Sequence, residues 1–357
     1  MTQFSKKTAL VIGATGAFGA HAARALVAHG WRVRALARDP EKAAAKLAGH
    51  TQLEWVKGDA LDAESVKAAA LGVTLIVHAA NPPGYRNWKG TVLPMVESAI
   101  AAAASSGARL VVPASVYNFA PDAGASIAEE TVQAPATRKG AIRVEMEQRL
   151  AQAARAGVKV LILRAGDFFG PLGAPGAFAW LTIRKGGALR GLYAPGPADV
   201  GHAYAYLPDL AETLARLVED EARLADFEVF HFRGHWLARN GELAEAVRRV
   251  VGRPDLPVRP FAWIGVLALA PFVETFRELL EMRYLWRRPI GLANDKLVRF
   301  LGAEPHTPLD EAVRATLSDM QLLGGSAAGQ SLKLRDRGDD VVEGASRRGF
   351  LDEASIL

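Results

Sequence analysis

An α/β fold with a doubly wound parallel sheet is predicted by two features of the first 165 residues. Short β-branched runs alternate with longer helical patterns, as βαβ units do. The runs themselves are almost wholly apolar (Leu75-Ile76-Val77, Leu110-Val111-Val112, Val160-Leu161-Ile162-Leu163), as strands covered on both faces must be. The 357 residues, half hydrophobic and 23% charged, suffice for a sizeable core, which excludes whole-chain disorder and collagen-like repeats.

Taken in order, strands are expected at 8–12, 32–37, 53–57, 74–79, 109–112 and 158–164. Helices are expected between them at 18–29, 41–47, 64–70, 94–105 and 140–156, with Gly30, Gly107 and Gly157 placed to end three of them. Six strands joined by five crossovers make a Rossmann sheet, over residues 1–165. Beyond Ala165 the pattern loosens into a smaller α+β substrate lobe, 166–322, intertwined with the first unit. There a helix is expected at 208–219, a strand at 227–232, a helix at 242–251 and one or two helices within 261–286. Thr307-Pro308 is expected to cap a last helix reaching Met320. From 323 to 357 the aperiodic Gly, Ser and mixed charge predict a disordered tail.

Zero cysteine excludes disulfides, thiolate metal sites and cysteine nucleophiles. The net charge of +5 is spread along the chain without a basic block, so no nucleic-acid partner is expected. The polar start carries no signal-peptide pattern, and the longest apolar run, 261–272, is too short to span a bilayer; a cytoplasmic location is the expectation. The arginines after that run (Arg277, Arg283, Arg287, Arg288) admit an interfacial helix. The interleaved Glu274, Glu278 and Glu281 favour a solvated, salt-bridged face instead.

The most informative segment is Gly13-Ala14-Thr15-Gly16-Ala17-Phe18-Gly19, between the first strand and the first helix. Gly13 permits the tight turn, Gly16 lets backbone approach a pyrophosphate, and Gly19 lets the helix sit close to the sheet. Thr15, Ala17 and Phe18 complete this anion-binding turn. At the end of the second strand, Arg38 suits a ribose 2′-phosphate, whereas Asp39 would suit a free 2′-hydroxyl. NADP is therefore the expected cofactor, with NAD the alternative.

The Gly-x-x-Gly-x-x-Gly spacing resembles the extended and atypical short-chain dehydrogenase/reductases, a superfamily that includes NAD-dependent epimerases and dehydratases. The resemblance runs from Thr8 to Leu317. It implies adenine binding at Asp59 and Ala60, a nicotinamide-side loop at Ala79-Ala80-Asn81, and a ribose-flanking loop that includes Arg164 and Gly166. Ser115 stands where that superfamily keeps a catalytic Ser/Thr. Its Tyr-x-x-x-Lys is missing, and Lys139-Gly140-Ala141-Ile142-Arg143 occupies the place.

This Lys-x-x-x-Arg resembles the isoflavone and phenylcoumaran reductases, where a lysine is the acid/base; Lys139, sharing a helix face with Arg143, takes that role by resemblance. Tyr117 is an alternative proton donor, and a basic helix face whose Lys139 contacts only cofactor ribose or solvent is a third reading. Tyr85, Trp88, Phe168, Phe169, Trp180, His202, Tyr204 and Tyr206 fall on loops around the cleft and point to a small apolar substrate. His231 and His235 are read as packing residues rather than metal ligands, and no metal is expected. The leading expectation is an NAD(P)-dependent oxidoreductase reducing a carbonyl or activated double bond. Alternatives are an enzyme like the nucleotide-sugar epimerases and dehydratases, and a non-catalytic NADP sensor like the NmrA-like proteins. A homodimer is compatible with any of these.

Overall fold

Alternation across the first strand, β1 (Thr8–Ile12), shows how the main sheet is covered. Ala9 and Val11 face one layer of helices, Leu10 and Ile12 the other, and all four are buried. The computed structural model describes residues 7–47, 53–82, 87–172, 181–185 and 188–323; Tyr85, Trp180 and the expected tail after 323 lie outside them.

After β1 come α1 (Ala17–Ala28), β2 (Arg32–Ala37), α2 (Pro40–Lys46), β3 (Glu54–Lys57), α3 (Ala63–Ala69), β4 (Leu75–His78), α4 (Trp88–Ser106), β5 (Arg109–Ala114), α5 (Arg138–Arg155) and β6 (Val160–Arg164). The second half adds β7 (Asp167–Phe169), β8 (Thr182–Lys185), β9 (Ala188–Ala194), β10 (His202–Tyr206), α6 (Leu207–Glu219), β11 (Phe227–His231) and β12 (His235–Leu237). It continues with α7 (Gly241–Val251), β13 (Val258–Pro260), α8 (Trp263–Leu269), α9 (Glu274–Met282), α10 (Asp295–Leu301) and α11 (Leu309–Asp319).

The main sheet has seven strands in the order β11-β6-β5-β4-β1-β2-β3, every neighbour parallel. One face packs on α1 and α6 through Phe18, Leu26, Leu210, Leu214 and Leu217; the other packs on α3, α4 and α5 through Val66, Val96, Met146 and Leu150. The chain order reverses between β1 and β4, which opens a crevice at the carboxyl ends of those strands.

The six expected strands are all present. The strand expected at 227–232 is the seventh, and it lies beside β6 rather than in the second lobe. A chain that leaves at residue 166 returns to finish the first sheet, so the lobe is anchored at both ends.

Two expectations fail for identifiable reasons. Helix α4 begins at Trp88, six residues before Pro94, although proline removes a hydrogen bond there. Residue i−4 is Gly90, and Trp88, Val92 and Leu93 are buried, so hydrophobic burial carries the extra turn. Thr307 does not cap α11. Its backbone N–H and its hydroxyl both donate to the buried carboxylate of Asp209, each at 2.7 Å, and Pro308 stands at the cap position.

Two three-stranded sheets, β12-β10-β7 and β13-β9-β8, build the lobe. One apolar core joins Phe169, Tyr204, Leu243, Val247 and Leu317; a smaller one joins Phe119, Ile127, Met282, Leu285 and Ile290. The second closes α9 over the carboxyl edge of the main sheet. No helix among the described residues is long and apolar enough to cross a membrane.

Candidate functional site

The turn after β1 is shaped by two close backbone approaches. Gly13 has φ +87°, and a Cβ there would lie 2.6 Å from the amide nitrogen of Ala80. Only hydrogen fits between the turns that follow β1 and β4. A Cβ on Gly19 would lie 2.2 Å from the Gly13 carbonyl oxygen, so α1 is pressed onto the same turn. Helix α1 starts at Ala17 with Gly16 as its cap and no side-chain acceptor for its first N–H groups.

A cavity of about 550 Å³ runs from this turn along the sheet edge. Gly13, Thr15, Gly16, Ala17 and Phe18 form one end. The middle is lined by residues 78–82 after β4, 112–117 at the end of β5, and 165–168 after β6. The far end is apolar: Leu181, Pro195, Phe261, Trp263, Leu279, Met282, Leu285 and Trp286. An uncapped helix start at a glycine turn suits a pyrophosphate, and the cavity beyond it suits the nicotinamide end of a dinucleotide beside a small molecule.

The expected site residues divide into those in this wall and those outside it. Ala79, Ala80, Asn81, Ser115, Tyr117 and Gly166 line it with the glycine turn. Ser115 accepts the backbone N–H of Tyr117 at 3.5 Å and so caps the short turn Val116–Asn118. Arg143 also reaches the cavity. It donates to the Asn81 side-chain oxygen at 3.0 Å and lies 4.7 Å over the Trp88 ring.

His78, on the cavity floor, is buried, with no partner for Nδ1 among the described residues. Burial first, then the charge of Arg143, lowers its pKa to about 4, so it is neutral.

Lys139 is absent from the wall. It is 1% exposed, 5.8 Å over the Trp88 ring, and ion-paired with Glu278 and, at 3.8 Å, with Glu281 of α9. Burial lowers its pKa to about 8, against the raising pull of Glu281. Arg164 is likewise turned inward. It donates to Glu147 at 2.7 Å, to His231 at 3.2 Å and to the Ser115 carbonyl at 2.6 Å, so it meets the site only through Ser115.

At the adenosine side, Arg38 is exposed at the end of β2. Asp39 caps α2 by accepting the Lys42 N–H at 3.1 Å, and Lys46 donates to the Thr15 carbonyl at 3.0 Å. Asp59 accepts the Leu61 N–H at 3.0 Å; it and Ala60 are half-buried, and neither lines the cavity.

Sequence reasoning missed one arrangement. Asp167 projects into the wall, where it is the one acidic and Arg143 the one arginine or lysine side chain among the described lining residues. His202 hydrogen-bonds the Asp167 carboxylate at 2.9 Å through Nε2 and the Leu285 carbonyl at 3.1 Å through Nδ1. The His202 ring stacks on Trp286 at 4.0 Å. The partners lie 35 and 84 residues apart, so no spacing announces them; the position of Asp167 directly after the Gly166 loop was the available signal. Of the expected aromatic cluster, Trp88 and Phe168 line the cavity, while Phe169, Tyr204 and Tyr206 pack in the lobe core.

The model of the NmrA-like family matches residues 5–159, the part of the chain that carries the glycine turn. Solved structures align over nearly their whole length. The enzyme WbmH of Bordetella bronchiseptica, in complex with NAD+, is 19% identical, with 90% of this chain and 100% of that one covered and a TM-score of 0.66. A UDP-glucose-4-epimerase from Stenotrophomonas maltophila, with bound NAD and formylated UDP-arabinopyranose, is 16% identical, at 88% and 98% coverage and a TM-score of 0.68. A UDP-glucuronic acid 4-epimerase from Bacillus cereus, in complex with UDP-glucuronic acid and NAD, is 14% identical, at 88% and 99% coverage and a TM-score of 0.69. At such identity the likeness establishes the fold. The chain thus resembles the NmrA-like family over residues 5–159 and shares its overall fold with these nucleotide-binding structures.

Proposed function

We propose that this protein binds a nicotinamide dinucleotide along the carboxyl edge of its main sheet and acts as an oxidoreductase on a small, mostly apolar substrate. The observation that carries the reading is the continuous cavity, which begins at an uncapped glycine turn and ends in an apolar pocket under α8 and α9. The turn and the first N–H groups of α1 hold the pyrophosphate. Arg38, with Lys46 nearby, favours a 2′-phosphate, because the Asp39 carboxylate is engaged by α2. NADP is therefore the preferred form. The bound nicotinamide supplies hydride transfer, and everything else falls to the side chains.

Ser115 and Tyr117 stand in the wall at the end of β5, where a substrate oxygen can take a hydrogen bond from either hydroxyl. Tyr117 is the proton donor in this reading. Asp167, oriented by His202, orders a polar group of the substrate, while Leu279, Met282 and Leu285 exclude water from its apolar part. Lys139 holds α9 closed from behind the wall through Glu278 and Glu281.

A second reading has specific support. The NmrA-like match, together with a lysine withdrawn into ion pairs, favours a protein that binds the dinucleotide without turnover. A panel of carbonyl and enone substrates assayed with NADPH separates the two. Turnover that falls by about 100-fold or more in Tyr117→Phe supports the oxidoreductase, in line with the loss of a general acid. NADPH binding with no turnover on any substrate supports the sensor.

A further inference from the structure

Five of the eleven large apolar side chains that are exposed among the described residues fall within residues 264–273. Helix α8 buries Val266 and turns the half-buried Trp263 inward, its indole N–H donating to the Pro195 carbonyl at 2.6 Å, while its outer face carries Ile264 at 86% exposure and Leu267 at 62%. Phe272, in the turn to α9, is also 86% exposed. Such side chains protrude as a ridge. A groove would have partly covered them.

The charges around the ridge are one-sided. The sequence suggested that the glutamates of α9 would neutralise its arginines, but Glu278 and Glu281 turn inward to Arg138 and Lys139. Arg277, beside the Phe272 end, and Arg287 and Arg288, just past α9, are exposed and make no ion pair among the described residues. Arg283 lies 5.0 Å over the Trp263 ring, so the end of α9 returns to the start of α8 and the cations flank the ridge at both ends. Glu274 is the single exposed acid on this stretch.

We propose that the α8–α9 hairpin docks this protein on an anionic lipid surface, with Ile264, Leu267 and Phe272 entering the acyl boundary and Arg277, Arg287 and Arg288 contacting headgroup phosphates. Convex apolar points with a cationic rim match a deformable, negatively charged surface, and short apolar ridges of this kind bind in the interface without spanning it. The same hairpin supplies Trp263, Leu279 and Met282 to the cavity wall. Resting on the oxidoreductase reading, this makes the substrate class a lipophilic molecule that reaches the cavity from the membrane.

Co-sedimentation of the full chain with phosphatidylcholine vesicles, with and without phosphatidylglycerol, tests the docking directly and needs neither cofactor nor turnover. Roughly tenfold or greater preference for the anionic vesicles is expected. Ile264→Glu/Phe272→Glu should lose vesicle binding by at least about tenfold, and Arg277→Gln/Arg287→Gln/Arg288→Gln should lose the lipid preference. Thermal unfolding and NADPH titration of both variants should stay unchanged, since these side chains are exposed and lie off the cavity wall. No binding to either vesicle, or binding indifferent to phosphatidylglycerol, overturns the proposal. So does a dimer in solution that Ile264→Glu/Phe272→Glu dissolves, since the ridge would then face a second copy.

Discussion

Replacing Arg164 or Glu147 should show that the floor of the site rests on a buried ion pair. Both are buried; Arg164 Nη2 donates to Glu147 at 2.7 Å, and the guanidinium lies 5.1 Å over the Phe119 ring. Removing one partner of such a pair costs roughly 3–5 kcal/mol, because the other charge is left without compensation. In Arg164→Met, the Glu147 carboxylate keeps donors from Asn118 at 2.9 Å and Gln133 at 2.7 Å, which places that variant at about 3 kcal/mol. Glu147→Met leaves the guanidinium with only neutral acceptors, Ser115 and His231, and belongs nearer about 4 kcal/mol. The double variant buries no charge, so it should fall short of the sum by at least about 2 kcal/mol. Urea unfolding followed by far-UV circular dichroism, over all four proteins, measures this coupling. Single variants that lose under about 1 kcal/mol, or losses that simply add, would refute the reasoning.

The same cluster predicts a pH dependence. Burial, then the charge of Arg164, lowers the His231 pKa from 6.5 to about 3, so the unfolded chain binds more protons between those values. Stability from this residue is full above pH 6.5 and is lost as pH falls, by about 2 kcal/mol at pH 5; His231→Gln should flatten that part of the stability profile. Gly13→Ala should raise the NADPH dissociation constant and lower stability by roughly 1–2 kcal/mol, since alanine at φ +87° is strained and its Cβ meets Ala80; calorimetric titration and thermal melts read both. Lys139→Met should lower turnover by no more than about tenfold, through a loosened α9, because Lys139 faces Glu278 and Glu281 rather than the cavity; a loss of about 100-fold or more would return the acid/base role to it.

Local patterning made the Rossmann half legible almost to the residue. Strands such as β1, β4 and β6 are buried on both faces, and their apolar runs have nowhere else to fold. The glycine turn was legible for a related reason: Gly13 and Gly19 sit where backbone meets backbone, a constraint that only glycine satisfies. The start of α4 was hidden because Pro94 reads as a first-turn residue, whereas the deciding burial of Trp88 is tertiary. Arg164 and Lys139 stand where the resemblance put them in the chain, yet their charges are consumed by Glu147 and by Glu278, the latter 139 residues away. Asp167 and His202 meet for the same long-range reason, through the parallel pairing of β7 with β10.

Parallel titration of the purified protein with NADPH and NADH, followed by nicotinamide fluorescence, tests the central claim most directly. The account predicts saturable binding of both, at least about tenfold tighter for NADPH, with the preference lost in Arg38→Ser as a charge-assisted contact disappears. Binding of neither would contradict it.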